Sequence, residues 1–473
     1  MRILTPELIM IGTGLAVILL DLVIKKKETV AFAGILGTLL SAYFNFSLMG
    51  PGLSGDVFQG MFIFDGYASF FKLIFYITII ITILISLKYM DIEGASLGEY
   101  YALLFFATSG MMIMVGAIDL MVLYLGLELM ALSLYILAGI LRNRRSSNEA
   151  AIKYFFLGAF SSAFLLYGIA LTYGLTGTTN LHEIAVALHD LKLVDNPVTL
   201  LALIFFVTAF GFKVALVPFH MWAPDVYEGA PTSITAFMST SPKAAAFAVM
   251  GRVFFTAFGA LQVQWSMILE PLAIITIAVG SILALSQTNI KRMLAYSSIA
   301  HAGYAVIGFL PGTQEAFAAT LNYLMIYTLM NLGAFTIVVL MRREGITGDN
   351  LQDFAGLAKK NPLLSALMLI FMFSLTGIPP LAGFIGKFYI FMEAVKAGYT
   401  TLILIAVIFS AISAFFYLRV VVYMYMKEPA AEFAVVSVPN AVKLTLAFTS
   451  IMVIILGIFP SLLLKFVMSS FMG

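Results

Sequence analysis

Long apolar runs, separated by short polar stretches, make up nearly the whole chain. Of its 473 residues, 62% are hydrophobic and 11% are charged, and the mean hydropathy is +1.04. A soluble fold of this length needs far more polar surface than this composition supplies. Several runs approach or exceed about 20 residues, which suffices to cross a hydrocarbon core of about 30 Å as a helix. The chain is therefore predicted to be an all-α polytopic membrane protein, with a single membrane domain over residues 1–473.

Apolar windows and the polar residues between them predict fourteen membrane spans. The first is interpreted as a retained helix because no small-residue cleavage pattern follows it. Asp65 and Asp119 are predicted to start helices; Asp119 also separates the fourth span from the fifth. The approximate limits of the spans are 6–24, 29–47, 67–88, 100–118, 120–141, 150–174, 199–220, 232–258, 267–288, 293–310, 317–341, 362–395, 399–425 and 441–466.

Composition also excludes several classes of chemistry. The chain has no cysteine, so it cannot supply disulfides, cysteine-ligated iron–sulfur clusters or thiolate zinc sites. Its four histidines, His182, His189, His220 and His301, show no metal-binding spacing, and there is no phosphate-binding glycine motif. The net charge of +2 indicates no nucleic-acid role. We therefore expect neither a cofactor nor a metal in this chain.

The lysines and arginines between the spans are distributed asymmetrically, which predicts orientation. The side with few of them has little beyond Arg2, Lys192, Lys396 and Lys465. The opposite side is predicted to be cytoplasmic, with both termini on the periplasmic side. Its basic residues are Lys25, Lys26, Lys27, Lys88, Arg142, Arg144, Arg145, Lys291, Arg292, Arg342, Arg343, Lys359, Lys360, Lys427 and Lys443.

A few ionisable residues fall inside the predicted spans: Glu128, Lys213, Lys243, His301 and Lys387. Each buried lysine costs about 2.5–3.5 kcal/mol on insertion scales, so three cost on the order of 10 kcal/mol. Such residues normally face a bundle interior or a hydrated cavity. We therefore interpret these five as candidate functional residues. Two arginines, Arg252 and Arg419, also lie in apolar windows, and the sequence assigns them no role.

Prolines lie close to the buried lysines. Pro218 removes the hydrogen bond to the carbonyl of Val214 and predicts a break just after Lys213. Pro379 and Pro380 likewise free two carbonyls, those of Leu375 and Thr376, before Lys387, and Pro242 frees that of Met238 beside Lys243. Irregular backbone at membrane depth is tolerated where it is buried in protein or lines water. Two broken spans five apart, the seventh and the twelfth, suggest the internal repeat of a transporter.

These features predict a proton relay. Burial disfavours the charged form of a lysine, and an anionic partner favours it. Glu128 is the natural partner of Lys213, so the two are predicted to form a switchable pair. Lys243, His301 and Lys387 could then carry the proton onward through water.

Three motifs, GFKVALVPFHMWAPDVYEGAPTSITAFMSTSPKAAAF (211–247), NIKRMLAYSSIAHAGY (289–304) and TGIPPLAGFIGKF (376–388), resemble the antiporter-like membrane subunits of respiratory complex I. The resemblance covers roughly residues 65–425. It implies two inverted five-helix repeats, spans 4–8 (100–258) and 9–13 (259–425), with helices 7 and 12 broken. Helices 1–3 (1–99) precede these repeats and helix 14 (426–473) follows them.

The same resemblance implies roles for individual residues. Glu128 matches the fifth-span glutamate, Lys213 its lysine partner, Lys243 the central lysine and Lys387 the terminal lysine of the periplasmic half-channel. His301 falls near the central axis. The resemblance further implies a hetero-oligomeric complex with other membrane subunits, contact with lipids, and no flavin, iron–sulfur cluster or quinone chemistry in this chain.

Three functions remain open at the level of the sequence. The first is a proton-translocating subunit of a redox-driven quinone oxidoreductase in a bacterial inner membrane. The second is a subunit of a related cation/proton antiporter or membrane-bound hydrogenase complex. The third is a structural membrane scaffold, whose buried charges only hold helices together.

Overall fold

A computed structural model describes residues 2–49, 55–342, 348–428 and 438–470. Within these ranges the chain is a bundle of helices with one short antiparallel hairpin, β1 (Gly55–Val57) and β2 (Phe62–Phe64). The helices before the first break are α1 (Thr5–Val23), α2 (Lys27–Ser47), α3 (Gly66–Ile92), α4 (Gly98–Gly116), α5 (Leu120–Ala138), α6 (Arg145–Thr176), α7 (Leu181–Asp190) and α8 (Pro197–Val214).

The remaining helices continue the bundle. They are α9 (Trp222–Gly229), α10 (Thr232–Met238), α11 (Ser241–Arg252), α12 (Gln262–Leu285), α13 (Ile290–Ile307), α14 (Gln314–Met341), α15 (Leu357–Lys360), α16 (Pro362–Thr376), α17 (Ala382–Lys396), α18 (Thr400–Met426), α19 (Asn440–Ile458) and α20 (Ser461–Ser469). Short 3₁₀ segments lie at Arg2–Leu4, Gly259–Leu261 and Leu351–Phe354. A π-helical turn, Val253–Ala257, follows α11 directly.

Each of the fourteen predicted spans coincides with a helix or a pair of helices. Eleven helices in the described ranges are long and apolar enough to cross a membrane. The other three predicted spans correspond to α10 with α11, to α13, and to α16 with α17. The prediction of an all-α polytopic membrane fold is confirmed. The segment between the sixth and seventh spans contains the short helix α7.

Both predicted helix breaks are present. α8 ends at Val214, and Ala215 adopts a left-handed conformation with φ 64°. α16 ends at Thr376, and Gly377 has φ 94°, a backbone angle that glycine adopts at little cost. The chain becomes α-helical again at α9 and at α17. These interruptions free backbone carbonyls in the bundle, as the prolines predicted.

The predicted helix starts are also present, and they recur at matched positions. Asp65 caps α3 by accepting from the backbone N–H of Ala68 at 2.7 Å, and Asp119 caps α5. Asp119 forms an isolated bridge with Asn180, and Asn289, five spans later, caps α13 and bridges Asn350 in the same way. This correspondence agrees with the repeat that the sequence predicts.

α14 lies at the centre of the bundle, and its residues 316–341 are all buried. α1, α2, α6, α12 and α18 form the periphery and expose many large apolar side chains. Exposed leucine and phenylalanine are stable there because lipid, rather than water, surrounds the bundle. The helices α11, α13 and α14, with α17 and α18, surround three of the ionisable residues, Lys243, His301 and Lys387.

Candidate functional site

Lys213 lies in the last turn of α8, immediately before the break, and is buried. Its Nζ has no hydrogen-bond partner among the described residues and lies 5.8 Å from the centroid of the Phe212 ring. The broken backbone is held by side chains. Trp222 donates to the carbonyl of Phe212 at 2.9 Å, and Thr276 accepts from the N–H of Val217 at 3.0 Å. The break is thus a defined structure beside an unpaired lysine.

The structure does not form the predicted ion pair between Glu128 and Lys213. The carboxylate of Glu128, on α5, accepts a hydrogen bond from the hydroxyl of Ser162 on α6. Because α6 packs against both α5 and α8, it supplies the partner of Glu128 in place of Lys213. Glu128 is only partly buried, so its side chain lies toward the surface of the bundle. The switchable pair of Glu128 and Lys213 therefore stays a prediction, since the two side chains do not contact each other in this conformation.

Lys243 lies in the first turn of α11 and donates two hydrogen bonds to α13. Its Nζ lies 2.6 Å from the Ser298 hydroxyl oxygen and 3.1 Å from the Ser298 carbonyl oxygen. The carbonyl of Met238, which Pro242 was expected to free, accepts instead from the hydroxyl of Tyr227 at 3.2 Å. Lys243 is therefore bound to a proton-bearing hydroxyl rather than to a carboxylate.

Two tyrosines flank His301 on opposite sides of its ring. Its Nδ1 lies 2.5 Å from the hydroxyl of Tyr323 on α14, and its Nε2 lies 3.0 Å from that of Tyr417 on α18. The Tyr417 hydroxyl in turn lies 2.5 Å from the hydroxyl of Ser297. One ring nitrogen of a neutral histidine donates and the other accepts, so the tautomer of His301 sets the direction of the hydrogen bonds from Tyr323 to Tyr417.

Lys387, on α17, donates to both carbonyls that the proline pair was predicted to free. Its Nζ lies 2.9 Å from the Thr376 oxygen and 3.2 Å from the Leu375 oxygen, and it also donates to the Ser410 hydroxyl at 3.0 Å. The ring centroid of Tyr304 lies 4.8 Å from the same Nζ. The helix break therefore supplies the polar surroundings that a lysine at membrane depth requires.

Three of the five predicted residues come together. A small cavity of about 10 Å³, here called the inner cavity, is lined by both Lys243 and His301. Tyr304 connects this cavity to Lys387, since its ring centroid lies 5.9 Å from that of His301. Glu128 and Lys213 lie outside this group. The other residues that line the inner cavity are Thr240, Ala244, Phe247, Ser298, Ala302, Tyr323, Leu324, Tyr327 and Thr328.

Sequence reasoning missed the hydroxyl groups of the site, those of Ser298, Tyr323 and Tyr417. The chain contains 21 tyrosines, and nothing in the apolar pattern separates these two from the rest. A sequence signal does exist for Ser298: it lies three residues before His301, so both fall on one face of a helix.

Sequence reasoning also missed one buried ion pair. Glu7 on α1 and Lys72 on α3 lie 2.5 Å apart. The two unassigned arginines have clear partners. Arg252 forms a bidentate contact with Asp65, at 2.8 and 2.9 Å. Arg419 donates to backbone carbonyls at the end of α12, among them that of Leu285 at 2.8 Å. These three groups hold helices together.

A charged network covers the basic face beside α9. Arg292 donates to Asp225 at 2.7 Å and to Glu228 at 2.8 Å, and Lys153 donates to Asp225 at 2.6 Å. Although burial opposes ionisation, the hydrogen bonds from Lys153 and Arg292 hold the pKa of Asp225 below its ordinary value. Lys291 donates to the carbonyl of Glu228 at 2.7 Å. The network fixes α9 to α13.

Buried lysines, broken helices and a histidine joined by hydroxyl groups define a membrane protein of the antiporter-like class. The stretch YLGLELMALSLYILAGI (124–140) and the lysine of the twelfth span point, within that class, to subunit N of NADH-quinone oxidoreductase. Comparison with known proteins supports this assignment. Residues 117–413 match the family model described as NADH:quinone oxidoreductase/Mrp antiporter, TM.

Similar proteins span nearly the whole chain. NADH-quinone oxidoreductase subunit N 2 of Rhizobium meliloti is 49% identical, covering 99% of this chain and 97% of its own length. Subunit N of Trichlorobacter lovleyi is 47% identical, with 98% and 96% covered. The chain therefore belongs to the antiporter-like subunit family of NADH-quinone oxidoreductase.

Solved structures carry the same fold. A chain of respiratory complex I from Thermus thermophilus superposes with a TM-score of 0.83 at 34% identity, covering 98% of this chain and 99% of that one. A chain of the Mrp complex from a Dietzia species superposes with a TM-score of 0.86 at 20% identity, covering 99% and 96%. The second likeness shows the fold alone. Among the described residues of this chain, no group of three or more metal-ligating side chains could hold a metal ion.

Proposed function

We propose that this chain moves protons across the membrane as the subunit N of an NADH-quinone oxidoreductase, through Glu128, Lys213, Lys243, His301 and Lys387. The observation that carries the proposal is the buried group of Lys243, His301 and Lys387, each of which is hydrogen-bonded to a serine or tyrosine hydroxyl. Hydroxyl groups both donate and accept, so they can pass a proton between lysine and histidine. This arrangement suits the transfer of protons between these three residues within the membrane interior.

The energy for transfer comes from outside this chain. Moving one charge against 100 mV costs about 2.3 kcal/mol, which a change in the pairing of a buried lysine can supply. Flavin, iron–sulfur and quinone chemistry belong to other subunits, and this chain works without a cofactor. Its partners are the neighbouring membrane subunits of the complex. The partly buried Glu128 lies where such a neighbour could alter its pairing.

The proposal includes an orientation and a repeat. The basic face, with Arg292 and the charged network beside α9, is cytoplasmic, and both termini are periplasmic, in a bacterial inner membrane. The two repeats are 100–258 and 259–425, related by inversion. Asp119 and Asn289, at matched positions, then lie on opposite faces of the membrane.

The unpaired state of Lys213 favours transport over a scaffold. A lysine retained only to hold helices is expected to have a partner, as Lys72 has in Glu7. Lys213, although it is buried, forms no ion pair of this kind and no hydrogen bond among the described residues. A cation whose partner is missing in one conformation is suited to gaining or releasing a proton.

The test is Lys213→Met in the assembled complex, reconstituted in lipid vesicles. We expect normal assembly and electron transfer with fewer protons moved per electron pair. Lys396→Met, in which the exposed lysine beside Glu393 is replaced, is the matched control and should pump normally. An assembled Lys213→Met complex that pumps at the control ratio would refute the role of this lysine.

A further inference from the structure

A second, larger cavity lies at the end of the bundle opposite the basic face. This cavity, the outer vestibule, has a volume of about 470 Å³ and lies where α3 and α14 begin and where α11 and α20 end. The charged pair of Asp65 and Arg252 lines it, and together with hydroxyl and amide groups this pair can hold water within an otherwise largely apolar lining. Its lining residues are Ile63, Asp65, Tyr67, Gly251, Arg252, Phe255, Thr256, Gly312, Thr313, Gln314, Phe317 and Ser470.

The outer vestibule and the inner cavity approach each other along α11. Lys243 lines the inner cavity and Arg252 lines the vestibule. Nine residues of helix separate them, a rise of about 14 Å. The vestibule therefore lies about 14 Å along this helix from Lys243, on its outer side.

Four phenylalanines in mutual contact, here called the phenylalanine barrier, link the lining of one cavity to that of the other. Phe247 lines the inner cavity, and Phe255 and Phe317 line the vestibule. Phe309 joins the two groups, since its ring centroid lies 5.7 Å from that of Phe247 and 4.9 Å from that of Phe317. Phe255 and Phe317 are 4.8 Å apart. The rings form a continuous apolar layer, in which water is unstable.

The backbone beside the barrier has two unusual features, a π-helical turn and a glycine in close contact with a ring. Phe255 lies in the π-helical turn Val253–Ala257, and such turns occur frequently at functional sites. Phe317 packs directly over Gly251. A Cβ at position 251 would lie 2.2 Å from the ring carbon Cζ of Phe317, so only glycine admits the ring there. Both rings on the vestibule side thus depend on unusual local structure.

We propose that the phenylalanine barrier is a hydrophobic gate on an outward route for protons, from Lys243 and His301 to the outer vestibule. Narrow apolar constrictions gate by excluding water. Water bridges the two cavities when Phe255 and Phe317 separate, and a proton then passes to the Asp65–Arg252 end. The route is additional to the one that ends at Lys387, and it rests on the proposed function.

The first test measures leak through the gate. The complex with Phe317→Ala is reconstituted in vesicles, and the collapse of an imposed pH gradient is followed without NADH. We expect collapse roughly tenfold faster than in the unaltered complex, equivalent to a barrier lowered by about 1.4 kcal/mol, together with a lower proton-to-electron ratio. Phe415→Ala removes the same ring from a site that is 64% exposed on α18 and should change neither quantity.

An assembled Phe317→Ala complex that leaks no faster than the Phe415→Ala control would overturn the gate. Failure of the gate can be distinguished from failure of the proposed function. If Lys213→Met pumped normally while Phe317→Ala leaked, the lysine relay would fail and the gate would stand.

The second test needs no phenylalanine variant to assemble. Because the chain has no cysteine, single cysteines can be labelled in it and detected by mass. Gln314→Cys, in the vestibule, should react with an impermeant thiol reagent added from the outer side, and Thr328→Cys, in the inner cavity, should be protected. Equal reaction of the two with the barrier intact would refute the gate.

Discussion

The ion pair between Glu7 and Lys72 provides a quantitative test of how buried charge is tolerated in this bundle. The Nζ of Lys72 lies 2.5 Å from the Glu7 carboxylate, and the side chains are 0% and 3% exposed. Lys72 also lies 4.9 Å from the ring centroid of Phe64. Each charged side chain is therefore stabilised mainly by the other, since water reaches neither of them.

Removing one partner should be far more costly than removing both. Glu7→Gln or Lys72→Met leaves an uncompensated buried charge, so we expect a loss of about 3–5 kcal/mol in the free energy of unfolding. The double variant should lose much less than the sum of the two. The pair formed by Lys27 and Asp21 is the control, because it has the same 2.5 Å separation with side chains 30% and 16% exposed. Lys27→Met should cost about 1 kcal/mol or less.

The assay is titration of the purified chain in lipid–detergent micelles with a denaturing detergent. The two tryptophans, Trp222 and Trp265, are both buried and can report unfolding by fluorescence. A complete cycle uses the unaltered chain, both single variants and the double variant. If Glu7→Gln and Lys72→Met are as mild as Lys27→Met, or if their effects simply add, the mutual dependence of the two charges is refuted.

Three further predictions concern the relay and its frame. Ser298→Ala removes the hydroxyl that Lys243 contacts at 2.6 Å, so proton pumping should fall while assembly, measured by native gel, is retained. His301→Gln disconnects the two flanking tyrosines and should lower the proton-to-electron ratio in reconstituted vesicles without changing electron transfer; an unchanged ratio would remove the histidine from the relay. Arg419→Met leaves carbonyls at the end of α12 unpaired, so the free energy of unfolding in the same denaturation assay should fall by about 1–3 kcal/mol. An unchanged free energy of unfolding would show that these contacts do not stabilise the end of α12.

Local sequence determined the fold to a large extent. The fourteen spans followed from apolar runs, and the broken seventh and twelfth helices followed from Pro218, Pro379 and Pro380. A membrane helix satisfies its own backbone hydrogen bonds, so each span is specified within about 20 consecutive residues. A proline acts on the carbonyl four residues before it, which is also a local effect. The contact of Lys387 with the freed carbonyls of Leu375 and Thr376 was therefore within reach of sequence reasoning.

The tertiary structure decided which groups the buried ionisable side chains contact. The sequence identified Glu128, Lys213, Lys243 and His301 as expensive to bury, and it could not say what each would contact. His301 and Tyr417 lie 116 positions apart, and Lys243 and Ser298 lie 55 apart. Such pairs depend on which faces of which helices meet, and apolar surroundings on all sides leave no periodic signal to indicate the face. For the same reason Glu128 was assigned to Lys213, whereas the packing of α6 against α5 gives it Ser162.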